Sequence, residues 1–387
     1  MAGTVTIERR GEVRLAGGHL WVYRSDVTSA DARGGDTVAV LGPRGRLLGH
    51  ALYSDRSEIA LRLIARAAEP ADLGVWRRRI EAALRRRAEP PIDATAYRLV
   101  HAEGDLLPSL IVDRYGDVLV VQALSQGTDA LLPEIVSILI ELVGPRGVLA
   151  RNDAKVRLLE GLERRVDVLH GEVPDSVVVS EAGIEFETDL RTGQKTGLFL
   201  DQRENRVAAG ARARGRALDA FSYVGGFALH LARRADEVVA VEASEEASRR
   251  LPRNAERNGL GNVRVVTDNV FDVLRRAERS GDRFDTIVLD PPSFARTRAA
   301  LPKALAGYKE INLRALKLLA AGGTLVTSSC SYHVSEEAFA AMLRDAAADA
   351  RTDVIVVEKR GQSSDHPILL GVPETQYLKC LIVTKIE

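Results

Sequence analysis

From about residue 190 onward, short apolar runs alternate with stretches of helical period, and this alternation restricts the fold more than any other feature. Arg216-Ala217-Leu218-Asp219 reads as a strand feeding a helix over 228–234, and Glu237-Val238-Val239-Ala240-Val241-Glu242 feeds a helix over 245–258. A run over 263–266 leads toward a helix over 270–279, and Thr286-Ile287-Val288-Leu289 and Gly323-Thr324-Leu325-Val326-Thr327 read as further buried strands. Strands alternating with helices build βαβ units around a mostly parallel sheet. In such sheets ligands sit beyond the carboxyl ends of the strands. The expected fold class is therefore α/β and Rossmann-like for this part.

The preceding residues follow other patterns. Residues 1–75 read as all-β: Thr37-Val38-Ala39-Val40-Leu41, the turn Gly42-Pro43-Arg44-Gly45, a run over 47–53 and a run over 59–64 suggest a small barrel. Over 72–88 the period becomes helical, with Leu73, Trp76, Ile80, Ala83 and Leu84 on one face and arginines opposite, ended by Glu89-Pro90-Pro91. A hairpin over 109–122 and a helix over 131–143 follow, so this middle part reads as α+β. A chain of 387 residues exceeds one ordinary core. The expected division is 1–75, 76–188 and 189–387.

Totals exclude several classes. No apolar run approaches the ~20 residues of a membrane span, and the first ten residues hold no signal core. Two cysteines do not make a disulfide framework, which fits a reducing cytoplasm. No clustered His/Cys pattern suggests a metal. Net charge is zero, yet arginines cluster at 77–79, 85–87 and 212–216. They read either as solvated helix faces or as phosphate contacts.

A strand, a tight turn and a helix start are written in Asp219-Ala220-Phe221-Ser222-Tyr223-Val224-Gly225-Gly226-Phe227. Gly225 and Gly226 would let a ligand approach the backbone. The next strand ends in Glu242, where an acid binds ribose hydroxyls in nucleotide-binding sheets. The third is followed by Asp268 and Asn269, suited to an adenine edge, with Val270 and Phe271 to pack on the ring. There is no G-x-G-x-x-G or GK[ST] loop, so a nucleoside without phosphates is expected, and S-adenosyl-L-methionine fits.

Two strand ends carry chemistry. Asp290-Pro291-Pro292-Ser293-Phe294 delivers a carboxylate on a proline-stiffened exit. By itself it suits methylation of an exocyclic amine, with Phe294 stacking on the base. Ser329-Cys330-Ser331 delivers a thiol on another strand. A thiolate adding at C6 of a cytosine makes C5 nucleophilic, and an acid at N3 assists, so the pair points to methyl transfer to C5. His333 is a candidate to help Cys330 ionise. Cys380, inside an apolar run, reads as core.

These residues resemble the RlmI family of bacterial 23S rRNA (cytosine-5)-methyltransferases along essentially the whole chain. The resemblance rests on Gly18-His19-Leu20-Trp21-Val22-Tyr23, on the segment from Gly193-Gln194-Lys195-Thr196-Gly197 through Phe199-Leu200-Asp201-Gln202-Arg203, and on the two strand-end motifs. Asp365-His366-Pro367 and Glu374-Thr375-Gln376-Tyr377-Leu378-Lys379 complete it. It implies an N-terminal β-barrel PUA domain that binds RNA, a small α+β middle domain and a class I methyltransferase domain using S-adenosyl-L-methionine. Cys330 corresponds to the nucleophile and Asp290 to the acid. Phe199, Asp201 and Pro291 are expected on the cofactor side, and Gln194, Lys195, Arg203, Pro292, Phe294 and His333 on the substrate side. Other RNA cytosine-5 methyltransferases carry a second cysteine after the proline of the acid motif; Ser293 follows the prolines here, so product release needs another group. The expected partner is rRNA, 23S first, with a homodimer also considered and neither membrane nor metal. Methylation of a base nitrogen, on guanine or an exocyclic amine, and a non-catalytic rRNA-binding assembly factor are the alternatives.

Overall fold

The structure, a computed structural model, describes residues 3–295 and 297–386. The chain forms two compact units. One comprises Met1–Val179, Thr188–Leu200 and Asp365–Thr375; the other comprises Ser180–Glu187, Asp201–Ser364 and Gln376–Glu387.

The first unit holds two sheets. A six-stranded sheet runs in the order Trp21–Tyr23, Ile59–Arg66, Leu47–Tyr53, Thr37–Leu41, Thr4–Ile7, Val27–Asp31. Alternation explains it: Val38 and Val40 are buried while Thr37, Ala39 and Leu41 stay partly open. The N-terminal segment is not all-β, because Arg9–Ala16 is a helix. Only Gly11 and Leu15 of that helix are buried, so its apolar period is hidden among arginines. The fully buried carboxylate of Asp26 fastens it, accepting from Arg10 and, at 2.6 Å, from Arg14.

A five-stranded sheet follows in the order Arg165–Gly171, Gly147–Asn152, Val118–Ala123, Leu110–Tyr115, Ala96–His101. The expected hairpin is present, Tyr115 pairing with Val118. Helices Leu73–Ala88 and Leu132–Val143 contribute Trp76, Ile80, Ala83, Ile135 and Leu139 to its core. Leu73 is exposed, whereas Arg87, expected on the open face, is buried and grips Asp105 through two 2.7 Å bonds. The other arginine clusters are likewise engaged within the protein. Arg77 pairs with Glu141, Arg86 with Asp105, Arg212 with Glu358, and Arg216 with Glu237 and Asp282.

The second unit carries a seven-stranded sheet. Its strands are β1 (Arg216–Ala220), β2 (Glu237–Glu242), β3 (Val263–Thr267), β4 (Phe284–Leu289), β5 (Leu319–Ser329), β6 (Val354–Arg360) and β7 (Lys379–Lys385). Its helices are α1 (Arg203–Arg212), α2 (Gly226–Ala232), α3 (Glu245–Arg257), α4 (Val270–Ser280), α5 (Leu301–Leu318) and α6 (Glu336–Ala350). The spatial order is β3-β2-β1-β4-β5-β7-β6, with β7 antiparallel to both neighbours. Side chains alternate between two apolar layers. Leu218, Val239, Ile287, Leu325 and Leu381 face α4, α5 and α6. Ala217, Val238, Val288, Val326 and Ile382 face α1, α2 and α3. Cys380 lies fully buried in the second layer, where burial pushes its thiol up to about 12. It is core, as its surroundings in the sequence suggest.

The strand order reverses between β1 and β4, which defines a crevice at their carboxyl ends. Register aligns these ends: Ala220 pairs with Val241 and with Leu289, and Leu289 pairs with Thr327. Among the described residues no helix is long and apolar enough to cross a membrane, and no group of three or more His, Cys, Asp and Glu is set to hold a metal.

Candidate active site

Beyond β1 the chain makes a strained turn into α2. Phe221 and Tyr223 adopt left-handed φ of 71° and 51°, a conformation that costs non-glycine residues energy and clusters at ligand sites. The turn is fastened to β2, because the Phe221 and Ser222 N–H groups donate to the Val241 carbonyl at 3.1 and 2.9 Å. Tyr223 and Ser244 N–H groups each donate to a different oxygen of Glu242 at 2.8 Å. Two backbone donors thus orient that carboxylate, and its remaining lone pairs can still accept hydroxyls. Gly225 is required by its φ of 101°. At Gly226 a Cβ would lie 2.7 Å from Nε of Arg206.

Asp219 is fully buried at the end of β1. Its Oδ2 accepts from the Ala228 N–H at 2.8 Å, while Oδ1 has no hydrogen-bond partner. Burial, with Asp290 and Glu242 adding like charge, pushes its carboxyl up to about 7. A buried acceptor without a donor beside the glycine turn is an atom that a cationic ligand group would satisfy. Asp268 and Asn269 are occupied in building α4. Asp268 pairs with Arg276 at 2.5 Å, which holds it below the usual carboxylate range, and Asn269 accepts from the Phe271 N–H at 2.9 Å as the helix cap.

Asp290 stands one residue beyond β4. Its Oδ1 accepts from Nε2 of Gln202 at 2.7 Å. Gln202 is itself fixed, its Oε1 accepting from Asn205 at 2.6 Å, and Asn205 in turn accepts from Arg360 at 2.9 Å. A chain of polar side chains from β6 through α1 therefore aims the carboxylate. Asp201 accepts from the Tyr377 hydroxyl at 2.8 Å, and its carbonyl accepts from Ser363. Arg203 is buried next to Glu204, at 3.2 Å. Pro291 is buried and Pro292 exposed. Phe294 is half-buried, its ring 4.7 Å from Tyr308 and 6.2 Å from Phe271.

Cys330 is half-buried just past β5. Its flanks are tightly bonded. Ser331 is completely buried, and its Oγ meets the hydroxyls of Tyr308 at 2.9 Å and Ser293 at 3.0 Å. Ser293, which follows the prolines, is thus joined through Ser331 to Tyr308 by a chain of hydroxyls. On β7, Lys379 is buried and donates to the carbonyls of Ser331 and Tyr377 at 2.7 and 2.9 Å. His333 packs edge-on against Tyr332, centroids 5.3 Å apart. The charge of Cys330 raises the Lys379 ammonium against the lowering by burial.

Gln194, Lys195 and Phe199 belong to the first unit. Lys195, at φ 53°, lies over the Phe199 ring at 4.5 Å. Their loop is rigidly held: Thr196 is buried, donates to Asp113 at 2.6 Å and contacts the Tyr115 hydroxyl at 3.0 Å, which also accepts from the Leu198 N–H. Arg151 donates to the carbonyls of Leu190 and Gly193. These bonds pin the loop over 193–198.

Gln202, Tyr308, Ser331 and Lys379 were not singled out by the sequence reading as site residues. Gln202, Ser331 and Lys379 stood within quoted motifs, which was the available signal; Tyr308 had none.

Residues 109–381 match the model of an S-adenosylmethionine-dependent methyltransferase family, and residues 5–66 match a PUA-like domain. The chain is 39% identical over its full length, and over all of the relative, to a ribosomal RNA large subunit methyltransferase I of Tolumonas auensis. It is 40% identical to the protein of that name in Aeromonas salmonicida, covering 94% of this chain and 95% of the relative. A structure from Streptococcus mutans, described as a SAM-dependent methyltransferase, superposes with a TM-score of 0.83 at 21% identity over 98% of this chain and 99% of that one. A methyltransferase complexed with SAH superposes at 0.84 with the same identity and coverage. At this identity the two structures speak to the fold, which they share.

Proposed function

The chain belongs to the S-adenosylmethionine-dependent methyltransferase family whose members include the large-subunit rRNA methyltransferases I, and from that premise we propose that it methylates carbon 5 of a cytosine in 23S rRNA, through covalent attack by Cys330. The observation that carries the reading is the delivery of Cys330 and Asp290 from adjacent, register-aligned strands, with Asp290 aimed by Gln202.

S-adenosyl-L-methionine supplies, when bound, an electrophilic methyl group on a sulfonium. The unpartnered Oδ1 of Asp219, the carboxylate of Glu242 and the strained turn through Phe221 and Tyr223 form the donor and acceptor set suited to an adenosine with a cationic tail. Phe199, Asp201, Asp268, Asn269 and Pro291 complete the proposed cofactor side. On the second unit Arg203, Pro292, Phe294 and His333 are the proposed RNA contacts; on the first, Gln194, Lys195 and the PUA-like domain are proposed to bind RNA.

Cys330 as thiolate forms a bond to C6 of the base, and the C5=C6 electron pair becomes available at C5. Asp290 stabilises the charge that builds at N3 by hydrogen bonding there. After C5 is methylated, loss of its proton restores the C5=C6 bond and expels the thiolate. Ser293, Ser331 and Tyr308 stand where a second thiol would otherwise help that release.

The test is incubation of the protein with S-adenosyl-L-methionine and rRNA containing 5-fluorocytosine, whose C5 cannot lose a proton. A denaturation-resistant protein–RNA adduct is expected, absent in Cys330→Ala. Methyl incorporation into ordinary rRNA without any adduct on the fluorinated one overturns the cysteine mechanism and favours a nitrogen target.

A further inference from the structure

Cys330 needs a charge to become a thiolate at neutral pH, and the second unit offers one. Lys379 begins β7 directly opposite Ser329. Its side chain is almost wholly enclosed, 6% exposed. Its ammonium is tied to the carbonyl of Ser331, on one side of Cys330, and to that of Tyr377. Those bonds use two of the three N–H donors of an ammonium. Among the described residues no carboxylate pairs with it. A cation enclosed by protein and neutralised only by carbonyl dipoles is costly. A structural lysine would have been replaceable at less cost by an apolar residue.

The charged and titratable groups around Cys330 come from each neighbouring element. Asp290, one residue beyond β4, is bonded to Gln202. Tyr308 on α5 bonds Ser331 and is held neutral, since burial raises its hydroxyl above its ordinary value. Glu358 and Arg360 on β6 pair with each other at 2.8 Å and largely cancel. The Tyr377 hydroxyl is bound to Asp201. His333, three residues along the chain, packs on Tyr332, and Lys379 is the cation bonded to the carbonyl next to Cys330; the charge of Cys330 acts on it, favouring the ammonium against burial, which lowers it to about 8.

We propose that Lys379 is a positioning residue that keeps Cys330 as a thiolate, its ammonium held at the backbone next to Cys330 by the carbonyls of Ser331 and Tyr377. The thiol proton goes to solvent and Lys379 keeps its own. The role rests on the proposed use of Cys330 as nucleophile, but its test needs no RNA. An opposite charge at close range moves a titration by about 1–3 units, and an ordinary thiol ionises near ~8.5.

The experiment is the pH dependence of iodoacetamide alkylation at Cys330 in the full chain, followed by mass spectrometry, with Cys330→Ala as the blank for the buried Cys380. Wild type is expected to show a midpoint below that of an ordinary thiol. Lys379→Met is expected to raise the midpoint by at least one pH unit and slow alkylation at pH 7 about tenfold, and Lys379→Arg to restore much of the shift. A purely structural lysine would change melting without moving the midpoint. A wild-type midpoint at or above the ordinary thiol value, or an unmoved midpoint in a folded Lys379→Met, overturns the proposal. The wild-type profile decides even if the variant does not fold. Failure of the fluorinated-RNA adduct with a lowered midpoint would reject the cytosine chemistry while leaving the Lys379 role intact.

Discussion

Replacing Asp219 with asparagine removes one titration from the folded protein, and the structure gives its size. The carboxyl is fully buried and pushed up to about 7, chiefly by burial, whereas an unfolded chain titrates near ~3.9. The folded state therefore binds this proton more tightly than the unfolded one. Stability falls as pH rises from about 4 to about 7, and above that the loss is complete. A gap of about 3 units at about 1.4 kcal/mol each is about 4 kcal/mol. Between pH 5 and pH 8 only the upper part of that range is crossed, so wild type should lose about 3 kcal/mol that Asp219→Asn keeps. With about 2–4 °C per kcal/mol for a unit of this size, the melting temperature of the variant should gain roughly 6–12 °C on wild type over those three pH units. Scanning fluorimetry of both proteins without cofactor, at half-unit pH steps, measures it. All other titrating groups are shared, so the difference isolates this carboxyl. Melting curves that run parallel from pH 5 to pH 8 would refute the assignment of a raised, buried Asp219. The same variant should bind S-adenosyl-L-methionine more weakly, because an amide cannot offer the anion that a cationic ligand would meet at Oδ1.

Two further substitutions probe the supporting contacts. Gln202→Ala removes the 2.7 Å donor that aims Asp290; a hydrogen bond to a charged group contributes about 1.5–3 kcal/mol, so kcat should fall roughly 10- to 100-fold with melting little changed, read by single-turnover methylation. Thr196→Val leaves Asp113 and the Tyr115 hydroxyl each short of a buried partner; denaturation should register about 1–3 kcal/mol of lost stability, and hydrogen exchange should accelerate over residues 193–199.

The central strands of the second unit were legible because they are short runs of β-branched and aliphatic residues buried on both faces, as Thr286-Ile287-Val288-Leu289 is; the edge strand β6 is largely exposed and was not read from the sequence. Their ends followed, and with them Asp290, Cys330, Glu242 and the glycine turn. What escaped the sequence depends on partners far along the chain. Gln202 meets Asp290 across 88 positions, and nothing local distinguishes it from a surface glutamine. Arg87 looked solvated because its neighbours are, yet Asp105 draws it inside. The helix Arg9–Ala16 buries so little that its period is lost beneath its charges. Lys379 read as the polar start of an apolar strand, since burial of an ammonium leaves no mark on the sequence.

The central claim is that the methyl group arrives on carbon 5 of a cytosine by way of Cys330. The direct measurement is to methylate 23S rRNA with S-adenosyl-L-methionine labelled in the methyl group, digest the RNA to nucleosides and identify the labelled one by chromatography and mass. Label in 5-methylcytidine, lost in Cys330→Ala, is the predicted result. Label in an N-methylated guanosine or cytidine, retained in Cys330→Ala, would contradict it.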